Sequence, residues 1–321
     1  METSTNLKSF FTEHWNYMAV STACKLELFD ALENQNLGAK ELAKNLNLKE
    51  KQVSILLKAL LNIGFLNEEN ETYSLSKKSL LLTENHPNSL KYTCLNWSGE
   101  HLNAWQNLDY SIKTGASSFT KLYGENYFDY LNNHPDKLHQ YHKAMFEYAR
   151  EDYKVLPNKI DFSFANNIVD IGGGYGAAIS SIKKVYPNIN CFLFDLEKVI
   201  DNCNLKDITT IKGNFFEEIP KVAEVIILSR ILHDWDNEKA AIILNNCFDA
   251  LPKNGTIYII ENCSDRITID LSMLSLNMMA MCESYERTIS EYMELFSNAG
   301  FIMKSTVQLN ELQTIIIVVK P

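Results

Sequence analysis

The chain has 321 residues, 46% of them hydrophobic and 22% charged, the balance of a globular chain long enough to bury a core without staples. Its formal net charge of −10 argues against nucleic acid as the main partner, because holding a phosphate backbone needs a basic surface. No apolar run is long enough to cross a membrane, and the opening METSTNLKSFF lacks the basic start and apolar run of a secretory signal. The seven cysteines (Cys24, Cys94, Cys191, Cys203, Cys247, Cys263, Cys282) form no CxxC pair. They read as buried, reduced thiols of a cytoplasmic protein.

In chain order, residues 1–160 read as helical, and strands begin near residue 165. AKELAKNLNLKEKQVSILLKALLNIGFL predicts a helix over Ala39–Asn45, a tight turn and a second helix over Val53–Ile63. Phe65–Ser74 then predicts a hairpin with a polar tip. That order is a winged-helix pattern, which often binds DNA. Lys49, Lys51 and Lys58 accompany the second helix, but Val53, Ile55, Leu56, Leu57, Leu60 and Leu61 make it mostly apolar. A helix that reads a DNA groove shows a polar, basic face, so this one is expected to pack against protein, as a dimerisation module does. Residues 91–160 are dense in aromatics, among them Trp97, Trp105, Tyr123, Tyr127, Phe128 and Tyr141. Most are expected in a core and some around an apolar pocket.

The second half offers seven strand segments: Asn167–Ile171, Asn190–Asp195, Ile208–Gly213, Glu224–Ser229, Thr256–Glu261, Ile302–Val307 and Thr314–Val319. Helices are expected between the first six, the layout of a doubly wound, mostly parallel α/β sheet. Only QLNELQ joins the last two, too short for a crossover, so the seventh strand is expected to be antiparallel.

NNIVDIGGGYGAAISSIKKV reads as strand, glycine turn and helix. Gly172, Gly173, Gly174 and Gly176 permit a sharp bend and close approach of a ligand. The helix start that follows offers free N–H groups. Gly172-x-Gly174-x-x-Ala177 also fits a loose dinucleotide fingerprint. Asp195, ending the second strand, suits ribose hydroxyls, which nicotinamide and S-adenosyl cofactors share. Asn214 and Phe215 follow the third strand and suit an adenine. Ser229 and Arg230 end the fourth strand, with His233, Asp234 and Trp235 just before a helix. All these strand ends face one crevice.

Taken in order, VDIGGGYG, FDL, GNFFEEIP, LSRILHDWDN, ALPKNGTIYIIEN and ERTISEYMELFSNAGF resemble the motifs of class I S-adenosylmethionine-dependent small-molecule O-methyltransferases. The similarity is to the two-domain group of plant caffeate and flavonoid enzymes and bacterial natural-product enzymes. It spans nearly the whole chain, and LHDW followed by ERTxxE is its most specific part. The resemblance implies a Rossmann-like seven-stranded methyltransferase sheet, last strand antiparallel, with an N-terminal mainly helical winged-helix domain. Residues 1–95 would serve dimerisation, 96–160 would be a helical linker lining the pocket, and 161–321 would bind S-adenosylmethionine. It implies His233 as catalytic base, flanked by Glu261 and Glu286. Cofactor contacts would fall on Asp170, Gly172, Gly174, Asp195, Leu196, Asn214, Phe215, Ser229 and Arg230. Substrate contacts would fall on Asp234, Trp235, Tyr141, Met145, Phe146, Met278 and Met279. No metal, nucleic acid or membrane is expected, and the partners would be a small aromatic substrate and a second copy of the chain.

Three departures stand out. Asn214 replaces an Asp of plant members, Ser229 replaces a Lys, and the segment between Glu261 and Glu286 is shorter, which puts the plant substrates in doubt. The implied chemistry is in-line methyl transfer to oxygen. A phenol with a pKa of about 10 is a poor nucleophile at neutral pH, and a histidine near 6.5 can take its proton. A carboxylate beside the imidazole would orient it and favour its charged form. N-methylation of a heteroaromatic or amine is the alternative within the class. A cofactor-retaining member that does not transfer, or a winged-helix regulator, is the alternative outside it. As plain structure, Asp234 and Asp236 would be helix caps, Trp235 and the methionines core, and Glu261 and Glu286 surface acids.

Overall fold

The computed structural model describes residues 4–321, as two compact units that divide between Gly99 and Glu100. In the first, α1 (Ser4–Thr12), α2 (His14–Lys25), α3 (Leu28–Ala31), α4 (Ala39–Asn45) and α5 (Glu50–Asn62) precede a hairpin of β1 (Leu66–Glu69) and β2 (Thr72–Leu75), then α6 (Lys77–Leu80) and α7 (Lys91–Trp97). The hairpin turns at Asn70 and Glu71, both with positive φ. Val53, Leu57 and Leu60 recur at helical spacing on α5 and bury one stripe against Leu28, Phe29 and Leu42. The apolar character of the predicted second helix is therefore only partly a core signal, because Ile55 stays exposed.

The second unit opens with six helices: α8 (Glu100–Trp105), α9 (Leu108–Thr114), α10 (Ser118–Tyr123), α11 (Tyr127–Asn133), α12 (Pro135–Tyr153) and α13 (Leu156–Lys159). The sheet follows as β3 (Asn167–Ile171), β4 (Asn190–Asp195), β5 (Thr209–Lys212), β6 (Val225–Ser229), β7 (Thr256–Asn262), β8 (Ile302–Gln308) and β9 (Gln313–Val319). Between these strands lie α14 (Ala177–Val185), α15 (Glu197–Ile200), a 3₁₀ turn over Leu232–Asp234, α16 (Asn237–Ala250), α17 (Ile269–Cys282) and α18 (Ile289–Asn298).

The spatial order is β5-β4-β3-β6-β7-β9-β8, with β9 antiparallel to both neighbours. The last strand is thus antiparallel as expected, and it is inserted between β7 and β8. One expectation fails: no helix separates β5 from β6, and that stretch is a loop. Asn214 and Phe215 therefore sit on a turn of their own. Alternate residues of the central strands enter two cores. Val169, Ile171, Ile226 and Leu228 pack with α16 and α18, while Ile168, Val225 and Ile227 pack with α12, α13 and α14. Burial on both faces explains the nearly unbroken apolar runs of these strands. The chain leaves β3 towards β4 on one side and β6 on the other, so the crevice opens between the ends of β3 and β6.

Candidate active site

The glycine turn after β3 forms one wall. Gly172, Gly174 and Gly176 have φ of 67°, 59° and 74°, a region L side chains rarely adopt. Gly173 answers a different demand, since a Cβ there would lie 2.5 Å from the Asp170 carboxyl. Asp195, ending β4, accepts from the Gly174 N–H at 2.8 Å and from the Leu196 N–H at 2.7 Å. Burial pushes it up to about 6. Asp170 is buried with no well-formed hydrogen bond to either carboxylate oxygen. Burial lifts it to about 7; the Ile179 backbone N–H opposes the rise and the Asp195 charge adds to it. A buried acid without a partner, beside a turn built for close approach, fits a ligand with a cationic amino group and hydroxyls.

The loop after β5 holds Asn214 in a local turn. Its Oδ1 accepts from the Phe216 N–H at 3.0 Å and its amide donates to Glu217 at 3.2 Å. Its side chain is already engaged in shaping the loop. Phe215 lies beneath Gly172, where an added Cβ would be 3.3 Å from its ring. Ser229 meets the Tyr153 hydroxyl, and Arg230 adopts φ 53° while its N–H donates to Ile260 at 2.8 Å. His142 of α12 closes over the turn from the other side, 3.1 Å from where a Gly174 Cβ would be. Burial and the neighbouring His139 hold it down at about 4.

The second wall is the 3₁₀ turn carrying His233, which is 6% exposed, with Glu261 and Glu286 at 0% and 2%. The surface-acid reading of the two glutamates is therefore overturned. His233 Nδ1 lies 3.1 and 3.2 Å from the two oxygens of Glu286, and 3.8 Å from Glu261. Its Nε2 is 3.6 Å from Asp234. Glu261 has another task as well: its Oε1 accepts from the Ile231 and Leu232 N–H groups at 3.0 and 2.9 Å. It thereby fastens the turn to β7. Burial opposes an imidazolium, but Glu286, Glu261 and Asp234 together outweigh it and raise His233 to about 10. Burial raises Glu261 to about 7 and Asp234 to about 6, each eased by His233. Glu286, despite burial, is held low by His233 and Asn262.

Aromatic side chains surround this turn. Phe128 lies 5.2 Å from Trp235 and 6.2 Å from Tyr141, and Phe216 lies 4.8 Å from Trp235. Asp236, and not Asp234, caps α16, accepting from the Lys239 N–H at 2.8 Å. Met278 and Asn277 are buried on α17, while Met279 is half-buried. Tyr141, Met145 and Phe146 are half-buried on α12. Met145 is tied to this end of the sheet by the Arg230 guanidinium, 3.5 Å from its sulfur.

The O-methyltransferase domain model matches residues 105–302, and the O-methyltransferase dimerisation domain model matches residues 9–85. The chain belongs to the O-methyltransferase family. It is an S-adenosylmethionine-dependent methyltransferase with this family's sheet. Among its relatives are phenazine O-methyltransferase PhzM of Lysobacter antibioticus and 3-amino-4-hydroxybenzoate 4-O-methyltransferase of Streptomyces cremeus. The first is 28% identical, over 94% of this chain and 92% of the relative; the second is 31% identical, over 92% and 84%. The crystal structure of LaPhzM superimposes with a TM-score of 0.93 at 27% identity, covering both chains fully. Human N-acetylserotonin methyltransferase bound to S-adenosylmethionine shares the fold at TM-score 0.89 and 22% identity, over 100% of this chain and 98% of that one.

Several supporting residues of this O-methyltransferase were missed in the sequence. Arg287 is 1% exposed. It donates to the Leu232 carbonyl at 2.7 Å, the Trp235 carbonyl at 2.6 Å and Asn237 at 2.9 Å. Asn262 donates to Glu286 at 2.9 Å, and the Ser284 hydroxyl donates to the His233 carbonyl. In the ERT run Arg287 directly follows Glu286, but its partners Leu232, Trp235 and Asn237 lie about fifty residues earlier in the chain, so no local pattern shows what it holds. Nothing local marks Asn262 or Ser284. Among the described residues no helix is long and apolar enough to cross a membrane.

Proposed function

We propose that this enzyme methylates a hydroxyl of a small aromatic secondary metabolite, with His233 as the general base. The observation that carries the reading is the His233–Glu286 contact at 3.1 Å inside a buried, aromatic-walled turn. With Nδ1–H donated to Glu286, Nε2 is the nitrogen left to take a proton. Glu286 orients the ring, and Glu261 holds the turn and adds negative charge. The cofactor would be held by Asp170, the glycine turn, Asp195, Leu196, Phe215 and the backbone at Ser229 and Arg230. Asn214 would contribute as the shaper of the adenine loop. When bound, the cofactor supplies an electrophilic methyl group and a positive charge that opposes the imidazolium. Tyr141, Met145, Phe146, Asp234, Trp235, Met278 and Met279 would position the acceptor and exclude water. The relatives that act on a phenazine and a hydroxybenzoate support an aromatic acceptor.

We read the chemistry as metal-free. His233, Glu261 and Glu286 could together hold a cation, but Glu261 Oε1 and both Glu286 oxygens already accept protein hydrogen bonds, which leaves only Glu261 Oε2 among the four carboxylate oxygens without a partner. The N-terminal unit would form the dimer, residues 96–160 would line the pocket, and residues 161–321 would bind the cofactor, in a cytoplasmic enzyme. The decisive experiment is His233→Ala, assayed for turnover and for S-adenosylmethionine binding, with and without chelator. A kcat loss of about 10²–10⁴-fold with cofactor affinity retained, and no effect of chelator on the wild type, is expected. Turnover at the wild-type rate would remove His233 as the base. Loss of wild-type activity on chelation, restored by metal, would overturn the metal-free reading.

A further inference from the structure

Seven cysteines are spread along the chain, and two of them meet. Cys24 of α2 and Cys94 of α7 stand 70 residues apart in sequence, yet the Cys24 thiol donates to the Cys94 sulfur at 3.8 Å. Both stand as thiols, and both are buried, Cys24 at 1% and Cys94 at 9% exposure. Cys203 and Cys263, by contrast, donate to carbonyl oxygens, those of Gly174 and Val199 and that of Glu261.

Groups other than the sulfurs hold the backbone around this pair. The Tyr17 hydroxyl of α2 donates to the Cys94 carbonyl at 2.7 Å, and the Lys25 ammonium donates to the Ser98 carbonyl at 3.1 Å. Lys91, one turn before Cys94, pairs with Asp30 at 3.0 Å. The segment carrying Cys94 is therefore fastened on both sides of the sulfur, and the two thiols are kept facing each other. A disulfide bond is about 2.05 Å long, so the sulfurs must close by about 1.8 Å, a displacement of the size that rotation about a Cα–Cβ bond gives a sulfur.

The two sulfurs are not equivalent. The Cys94 contact and burial hold the Cys24 thiol well above its usual range, which makes it a poor opening nucleophile. The opening attack falls to Cys94, the more exposed sulfur, and Cys24 is placed to resolve what forms there.

We propose that Cys24 and Cys94 form a redox-sensitive staple, closed by a peroxide or a small disulfide and opened by a thiol reductant. With hydrogen peroxide, the Cys94 sulfur attacks one peroxide oxygen and becomes a sulfenic acid, while hydroxide leaves and takes up the thiol proton as water. The Cys24 sulfur then attacks the sulfenic sulfur, the S–O bond breaks, and a second water leaves with the Cys24 proton. Two thiols lose two electrons and two protons, and one peroxide becomes two waters. The new bond closes a loop of 70 residues. It joins α7, in the stretch between the two matched domains, to the dimerisation-domain match. Disulfides inside cells are commonly of this transient, redox-sensing kind. Neither His233 nor the acceptor takes part.

The test uses the full-length protein, reduced, desalted and kept native. One arm receives hydrogen peroxide and the other oxidised glutathione, and both are read by intact mass, thiol titration in denaturant and peptide mapping. The expected result is a loss of about 2 Da, two fewer titratable thiols than the seven of the reduced chain, and a Cys24–Cys94 cross-linked peptide. Dithiothreitol should reverse all three. Closing a loop of this length should also raise the thermal midpoint by about 3 °C or more. Cys94→Ala should show none of these changes. Retention of all seven thiols, a cross-link between other cysteines, or a Cys94 sulfinic acid or glutathione adduct that never resolves would overturn the proposal. So would a cross-link that forms only in denaturant, or one that leaves the midpoint unmoved. Should Cys94→Ala not fold, the wild-type peptide map and midpoint decide.

Discussion

Glu261 and Glu286 flank one imidazole, yet their carboxyls shift in opposite directions: burial lifts Glu261 to about 7, while His233 and Asn262 hold Glu286 low. Glu286 is the nearer to Nδ1, at 3.1 Å against 3.8 Å for Glu261, and Asn262 also donates to it. Because Glu286 is the closer charge, Glu286→Gln should let the His233 pKa fall from about 10. If His233 must be neutral to act, kcat/KM of the wild type rises with pH through the neutral range. In Glu286→Gln that rise should move down by about one pH unit or more. An unmoved pH profile would separate Glu286 from the base.

Asp170 offers a second residue-scale prediction. Its folded pKa, near 7, exceeds its ordinary value of 3.8. Between those values the native state holds a proton that the unfolded chain has lost, so this acid's penalty grows as pH rises and is complete above about 7. Asp170→Asn should therefore stabilise the ligand-free protein at pH 8, by roughly 2–4 kcal/mol, and little at pH 4. It should also weaken S-adenosylmethionine. Thermal unfolding at the two pH values, beside a binding titration, checks both; equal stabilisation at both pH values would contradict the assignment.

At the scale of elements, the functional loops are held from elsewhere in the chain. The glycine turn is held by Asp195 at the end of β4, and the His233 turn hangs from Glu261 of β7 and from Arg287 in the loop before α18. Gly173 shows how little slack exists, with Asp170 and Leu193 each within 2.6 Å of a Cβ built there. Gly173→Ala should cost about 1–3 kcal/mol of stability and reduce S-adenosylmethionine affinity at least about tenfold. Unchanged affinity by calorimetry would place the cofactor elsewhere. The sequence patterns located these loops well, because strand ends and glycines are local signals. They erred after β5, where a helix was expected and a loop shaped by Asn214 stands instead, since turn chemistry of Asn competed with a weak helical pattern.

For the whole molecule, the matched dimerisation domain carries Phe10, Phe11 and Trp15 at 66%, 61% and 64% exposure in the single chain. Large aromatics left open side by side are a hydrophobic patch in search of cover. Light scattering should give twice the 36.8 kDa chain mass. Phe11→Glu with Trp15→Glu should shift the protein towards monomer. A wild type that stays monomeric at tens of micromolar would contradict dimer formation.

Fold class, strand limits, the glycine turn and the LHDW and ERT motifs were legible in the sequence alone. Each is written in short-range patterns: apolar runs, glycines at set spacing and a histidine beside an aspartate. Tertiary structure alone decided that β9 inserts between β7 and β8, that Arg287 clamps the turn, and that Glu286 rather than Glu261 makes the nearer contact with His233. Among the described residues it also left the Arg230 guanidinium without a carboxylate partner. These outcomes depend on residues far apart in the chain meeting at one place, and on which buried charges then find partners.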